Sequence, residues 1–132
     1  SHIFGYAVGL DMTRRDLQTK SREAGRPWDF GKDFENAAVI SPLVPASEVG
    51  HLKSGNIQLS VNGQLKQNGD LKDLIWSVPE VVANLSEYYH LQPGDLIYTG
   101  TPEGVGPLQP GDKITGQIDG VGAIALTIGQ PE

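Results

Sequence analysis

The chain has 132 residues, a formal net charge of −6 and no cysteine. That length suits one domain with a real core. The negative field argues against nucleic acid or an anionic membrane surface as the main partner, and the missing thiols exclude disulfides, zinc–thiolate sites and cysteine catalysis.

The 17 Gly and 9 Pro are spread among segments rich in Val, Ile and Leu, which indicates a turn-rich β protein and not disorder. No apolar run approaches the roughly 18 residues that span a bilayer, and no positively charged start followed by an apolar stretch suggests a signal peptide. A cytoplasmic setting is the natural expectation for a thiol-free chain of this kind. Ser1-His2-Ile3-Phe4 lacks an initiator Met and runs straight into strand-like sequence. Ser1-His2 reads as a cloning remnant, and the chain is expected to begin inside a longer protein.

In chain order, Phe4 to Leu10 alternates bulky and small residues and predicts a buried strand with Asp11 at its C-terminal end. Thr13, with Asp16 three residues on, predicts the N-cap of a helix over 14–24, and Gly25 fits the position just past its end. Residues 26–34 have no clean period and read as loop. Val39 to Val44 predicts a short strand interrupted or ended at Pro42. Ile57, Leu59 and Val61 alternate with polar residues, Asn62-Gly63 is a type I′ hairpin signal, and Gln64 to Gln67 is the return strand.

Ser77 with Glu80 predicts a second capped helix with Pro79 in its first turn, and Val78, Val81, Val82, Leu85 and Tyr89 fall on its packing face. The pentapeptide Leu-Gln-Pro-Gly-Asp occurs at 91–95 and again at 108–112. Pro-Gly at its centre favours a type II turn, so the repetition is one turn solution used twice, leading into strands at 96–99 and 113–118. A last strand covers 123–128. The expected architecture is mainly β with two short helices, an α+β fold without a visible domain boundary.

Three stretches carry candidate chemistry. Asp11 ends a strand just before a helix start, with Arg15, Gln18 and Arg22 following on one helical face. A carboxylate, a guanidinium and an amide at one sheet end suit an oxygen-rich anionic ligand held partly through a metal such as Mg²⁺. On spacing alone the plainer alternative is the stronger one, with Asp11 merely stabilising the helix start and Arg15 and Gln18 solvated. Lys32 lies in a Gly-containing loop between Trp28 and Phe34, where a cation in a dry site would stabilise an enolate, although most lysines are surface residues. The run Thr99 to Pro107 is rich in small residues and offers the Thr101 hydroxyl. It lacks the ending of a phosphate loop. His51 and His90 show no metal-ligand spacing, and no nucleophile-elbow pattern is present.

These same stretches carry a resemblance. Gly5 to Gln18, Gly31-Lys32-Asp33-Phe34, Leu59 to Gly63 and Pro93 to Gly106 resemble, in order and spacing along essentially the whole chain, the C-terminal part of the fumarylacetoacetate hydrolase family. Met12-Thr13-Arg14-Arg15 and Gly25-Arg26-Pro27-Trp28 look most like its acylpyruvate and fumarylpyruvate hydrolase branch. The resemblance implies a mixed β-roll, usually a homodimer, with Mg²⁺ or Mn²⁺ in the site. It places Asp11 on the family's aspartate metal ligand, and Arg15 and Gln18 on its substrate-contacting arginine and glutamine. Lys32 falls on the active-site lysine, and Thr101 on the threonine that meets the substrate carboxylate.

The family's two other ligands form a Glu-x-Glu pair upstream of the aspartate, and no Glu-x-Glu occurs in these residues. The implied reaction is hydrolysis of a C–C bond in a small anionic 2,4-diketo acid, giving pyruvate and a carboxylic acid, with catalytic roles for Lys32 and Gln18. The alternatives on the same scaffold are decarboxylation of a β-keto acid such as oxaloacetate, isomerisation of a related diacid, or an inactive binding module.

Overall fold

The computed structural model describes residues 2–130. Ser1, half of the expected cloning remnant, lies outside them. The largest element is a four-stranded antiparallel sheet formed by β5 (Asn56–Val61), β6 (Gln64–Asp70), β7 (Lys113–Ile118) and β8 (Gly122–Thr127), in the order β6-β5-β7-β8. Its registers pair Ile57 with Ile118, Leu59 with Gly116 and Val61 with Ile114, and Ile114 with Leu126 across β7 and β8. Side chains alternate along a strand, so these apolar residues share one face. Ile114, 1% exposed, lies at the centre of that face. The β5–β6 hairpin turns at Asn62 (φ 52°) and Gly63 (φ 78°), the paired positive φ values of the expected type I′ turn.

The N-terminal strand divides. Phe4 to Leu10 was expected as one strand, but β1 (Gly5–Tyr6) pairs with β4 (Val44–Pro45), whereas β2 (Gly9–Asp11) pairs with β3 (Ala38–Ile40). Pro42 lies in the partner segment and has no N–H to offer. Ser41 bridges the gap: its N–H donates to the Val8 carbonyl (2.9 Å), and its Oγ accepts from the Val8 N–H (3.0 Å). Only Val8 and Leu10 of this stretch are buried, and Phe4 is exposed. A side chain at Gly116 would meet Leu10 Cδ2 at 3.7 Å, so β2 packs its one buried residue on the apolar face of the large sheet. That contact brings Asp11, the next residue, to the edge of the core.

Two long helices appear where expected. α1 spans Arg15–Glu23, with Gly25 at φ +62° just beyond its end. α4 spans Val78–Ser86 and starts with the full Ser77–Glu80 capping box. Its Val78, Val81, Val82 and Leu85 are half-buried, whereas Tyr89 falls past its end and is exposed. Two four-residue helices were not expected: α2 (Asp29–Lys32), inside the supposed loop, and α3 (Ala46–Val49). A single 3₁₀ turn over Leu71–Asp73 is capped by Asp70. These segments are too short to carry a hydrophobic period. The α+β class holds.

Thr13 does not cap α1. Arg14 occupies the cap position without a side-chain bond, because the Thr13 hydroxyl is engaged elsewhere. The strand expected at 96–99 also does not form: residues 91–110 contain neither helix nor strand. Both Leu-Gln-Pro-Gly-Asp turns close identically. The Asp N–H donates to the Gln carbonyl, and Asp Oδ2 accepts from the Gln N–H at 2.8 Å in each copy.

Candidate active site

The site is built where β2, α1 and α2 meet. β2 ends at Asp11, and α1 starts four residues later. The chain then returns through α2, whose Gly31 carbonyl accepts from the Arg14 N–H at 3.0 Å. Gly31 is buried, and a Cβ there would lie 2.8 Å from the Gln18 backbone nitrogen. A larger residue would push α2 away from the first turn of α1. This glycine is thus what lets Lys32 reach Asp11.

Lys32 Nζ lies 2.5 Å from Asp11 Oδ1. It also donates to Thr13 Oγ1 (2.9 Å) and to the Met12 carbonyl (3.2 Å). An ammonium has three protons, and three acceptors take them. The Lys32 side chain is 28% exposed and that of Asp11 is 55% exposed, so the pair faces solvent or a ligand. Arg14, pointing elsewhere, lies 4.5 Å over the Phe34 ring and fastens α1 to the segment after α2.

One turn into α1, Arg15 Nη1 donates to Gln18 Oε1 at 3.0 Å. A guanidinium only donates, so the oxygen of the Gln18 amide must face it. That leaves the Gln18 NH₂ with both protons for another partner. Arg15 and Gln18 are half-buried, while Arg22, on the same face by spacing, is exposed.

Thr101 is held differently. Its Oγ1 accepts from Gln67 Nε2 (2.7 Å), which also donates to the Pro102 carbonyl (2.6 Å). The loop around it presses on β6: the Pro102 ring lies against Gly69, and a Cβ at Gly104 would run into the Lys66 carbonyl. At the other end of the same loop, Tyr98 Oη donates to the Val39 carbonyl on β3 (3.0 Å), and its ring lies against Gly9 on β2, where a Cβ would come within 2.6 Å of it. Burial, with a smaller contribution from the negative charge of Asp11, holds the Tyr98 phenol above its usual range. Residues 98–102 therefore bridge the strand that carries Asp11 and the large sheet.

Direct contacts join Asp11 to Lys32, and Arg15 to Gln18. Thr101 is hydrogen-bonded instead to Gln67. Sequence reasoning missed Gln67 and Tyr98. Nothing local signals Gln67: a register shift between Leu59 and Ser60 lets the ladder pass over Lys66, placing Gln67 opposite Leu59 on the inner face. Tyr98 falls in the strand expected at 96–99, and no local signal in the sequence pairs its ring with Gly9. His51, given no role from sequence, accepts or shares a 2.7 Å bond with Tyr6 Oη.

As a cation site the donor set is partial. Asp11 is a half-exposed carboxylate at a strand end and fits as one oxygen ligand. Among the described residues no group of three His, Cys, Asp or Glu side chains is placed to complete a cage. No helix among them is long and apolar enough to cross a membrane.

Comparison with known proteins bears on the whole chain. A relative named fumarylpyruvate hydrolase, from Ralstonia sp, is 58% identical over 130 residues, covering 98% of this chain and 67% of that protein. An oxaloacetate tautomerase of Escherichia coli (strain K12) is 44% identical over 119 residues, 89% of this chain and 54% of that one. The crystal structure of fumarylpyruvate hydrolase from Pseudomonas aeruginosa in complex with Mn²⁺ and pyruvate superposes with a TM-score of 0.95 at 52% identity, covering 98% of this chain and 56% of that one. The chain thus spans between about half and two thirds of the length of these relatives. The sequence model of the fumarylacetoacetate (FAA) hydrolase C-terminal family matches residues 1–129. The chain belongs to the fumarylacetoacetate hydrolase family, as its C-terminal part.

Proposed function

We propose that these residues form part of an enzyme that hydrolyses a C–C bond in a 2,4-diketo acid of the acylpyruvate or fumarylpyruvate type, releasing pyruvate. The observation that carries this reading is the Asp11–Lys32 pair beside the Arg15–Gln18 pair: a metal-competent carboxylate, a cation, a guanidinium and an amide at one strand end. The 52% identity to a hydrolase seen with Mn²⁺ and pyruvate supports it.

Asp11 is proposed as one ligand of Mg²⁺ or Mn²⁺, its companion carboxylates coming from polypeptide outside these 132 residues. When bound, the cation would supply Lewis-acid polarisation of the substrate oxygens. The chain's own residues do the rest. The Arg15 guanidinium forks a substrate carboxylate. The Gln18 NH₂, oriented by Arg15, donates to a substrate oxygen. Cleavage leaves negative charge on the pyruvate enolate, which the Lys32 ammonium meets. Its three protons are already engaged, so substrate oxygen must replace one of its present acceptors. Thr101 donates to a carboxylate oxygen. Two carbonyls are needed in the substrate because the leaving carbanion must be delocalised.

A second reading follows from the 44% identity to an oxaloacetate tautomerase. Enolisation of oxaloacetate needs the same enolate stabilisation without attack by water, and decarboxylation of a β-keto acid shares it. Parallel assay of the complete enzyme with an acylpyruvate and with oxaloacetate, in the presence of Mg²⁺ or Mn²⁺, decides between them. Pyruvate release from the acylpyruvate, abolished by chelator, is the expected result. Turnover of oxaloacetate alone would replace the hydrolase with the tautomerase or decarboxylase reading. The enzyme is further proposed to act as a homodimer.

A further inference from the structure

We infer that Gln67 is a positioning residue that sets the direction of the Thr101 hydroxyl, turning its proton toward the bound carboxylate. This rests on the reading of Thr101 as a substrate contact. Among the described residues Gln67 is one of two buried polar side chains, 9% exposed, and the register shift in β6 turns it to the inner face opposite Leu59. The Pro102 carbonyl, 2.6 Å away, can only accept, so the amide atom facing it must be Nε2. The same nitrogen lies 2.7 Å from Thr101 Oγ1. Both Nε2 protons are thereby assigned, one to the carbonyl and one to the hydroxyl oxygen.

The consequence falls on Thr101. Its oxygen already accepts, and among the described residues its own proton has only the Pro102 carbonyl at 3.5 Å as an acceptor. That distance makes a poor bond. The proton is left to donate outward, which is what an anionic carboxylate requires. Were Gln67 absent, no donor would occupy the Thr101 oxygen, and the hydroxyl would be free to rotate and turn lone pairs toward the anion. Gln18 is fixed by the same logic with opposite polarity: Arg15 takes its oxygen, leaving the NH₂ protons for another partner. Both amides are held so that the site presents donors.

The test uses the complete enzyme with pyruvate as probe, comparing Gln67→Met, Thr101→Val and the double variant by titration calorimetry and by KM and kcat. Gln67→Met should weaken pyruvate binding by about tenfold or more, the loss of one charge-assisted hydrogen bond. KM should rise more than kcat falls, as for a contact made equally in ground and transition states. The double variant should lose no more than Thr101→Val alone. Gln67→Glu guards against a folding failure. Its affinity relative to the wild type at the same pH should recover as pH falls, because only the protonated acid can donate.

Pyruvate affinity within about twofold of wild type in Gln67→Met, beside a clear loss in Thr101→Val, would overturn the inference and spare the site. Losses that simply add in the double variant, or a Gln67→Glu ratio flat with pH, would overturn it as well. No loss in Thr101→Val would remove Thr101 from the substrate and the inference with it.

Discussion

Lys32 Nζ lies 2.5 Å from Asp11 Oδ1, and its remaining protons go to the Met12 carbonyl and Thr13 Oγ1. The residues proposed to hold the metal and to meet the enolate are thus in direct contact with each other. Lys32→Ala in the complete enzyme should lower kcat on the order of a hundredfold or more, the usual cost of removing one preorganised charge stabiliser. The side chain is partly exposed, so thermal unfolding should shift by only a few degrees. Near-wild-type turnover would strip Lys32 of its role.

Gly31 tests the scaffold behind that pair. A methyl group there would lie 2.8 Å from backbone nitrogen of Gln18, which cannot rotate away. Gly31→Ala should cost about 1–3 kcal/mol, as overpacking does, lowering the melting temperature by several degrees. Activity should fall with it, because α2 carries Lys32. Unchanged melting would mean that α1 and α2 separate freely.

Asp11 by itself is a poor cation site. Titrating Mn²⁺ or Mg²⁺ into these 132 residues should give a Kd on the order of millimolar or weaker, in the range of ligand-poor oxygen sites. Asp11→Asn should abolish the residual binding. Micromolar affinity would show that other donors in this chain complete the cage.

The acid limb of stability is expected to depend on turn carboxylates. Asp112 is held below its usual range first by the Gln109 N–H and then by the Asn62 amide. A depressed folded-state pKa stabilises above the unfolded value, and that contribution is lost as pH falls through the folded one. The window is therefore below about pH 4. Asp112→Asn can still accept from Gln109 but does not titrate. Its stability should vary less than the wild type's across that window, measured by thermal melts at several pH values. Identical pH curves would remove Asp112 from the acid response.

Local structure was legible wherever a few neighbouring residues decide it. Asn62-Gly63 adopts positive φ at both positions, Ser77 and Glu80 close their box, and each Pro-Gly makes the same turn. Thr13 shows where local signals fail. Its spacing to Asp16 fits a cap, yet the Lys32 ammonium, 19 residues away, claims the hydroxyl. A charge-assisted bond outcompetes a neutral cap, and nothing within a helix-length window announces it. Leu96 to Thr99 fails for the related reason that strand propensity needs a partner edge, and Tyr98 is spent on Gly9 and Val39 instead.

From sequence alone came the α+β class, the family through its motifs, and Asp11 with Arg15, Gln18 and Arg22 as one candidate group, because motif order and short-range periodicity are properties of the chain itself; Lys32 and Thr101 joined that group only through the resemblance. Tertiary structure decided what those groups present. It alone joined Lys32 to Asp11, split the first strand opposite Pro42, and rotated Gln67 inward beneath Thr101. Those outcomes depend on donors and acceptors meeting across tens of residues, and a one-residue register shift reverses which side chain faces in.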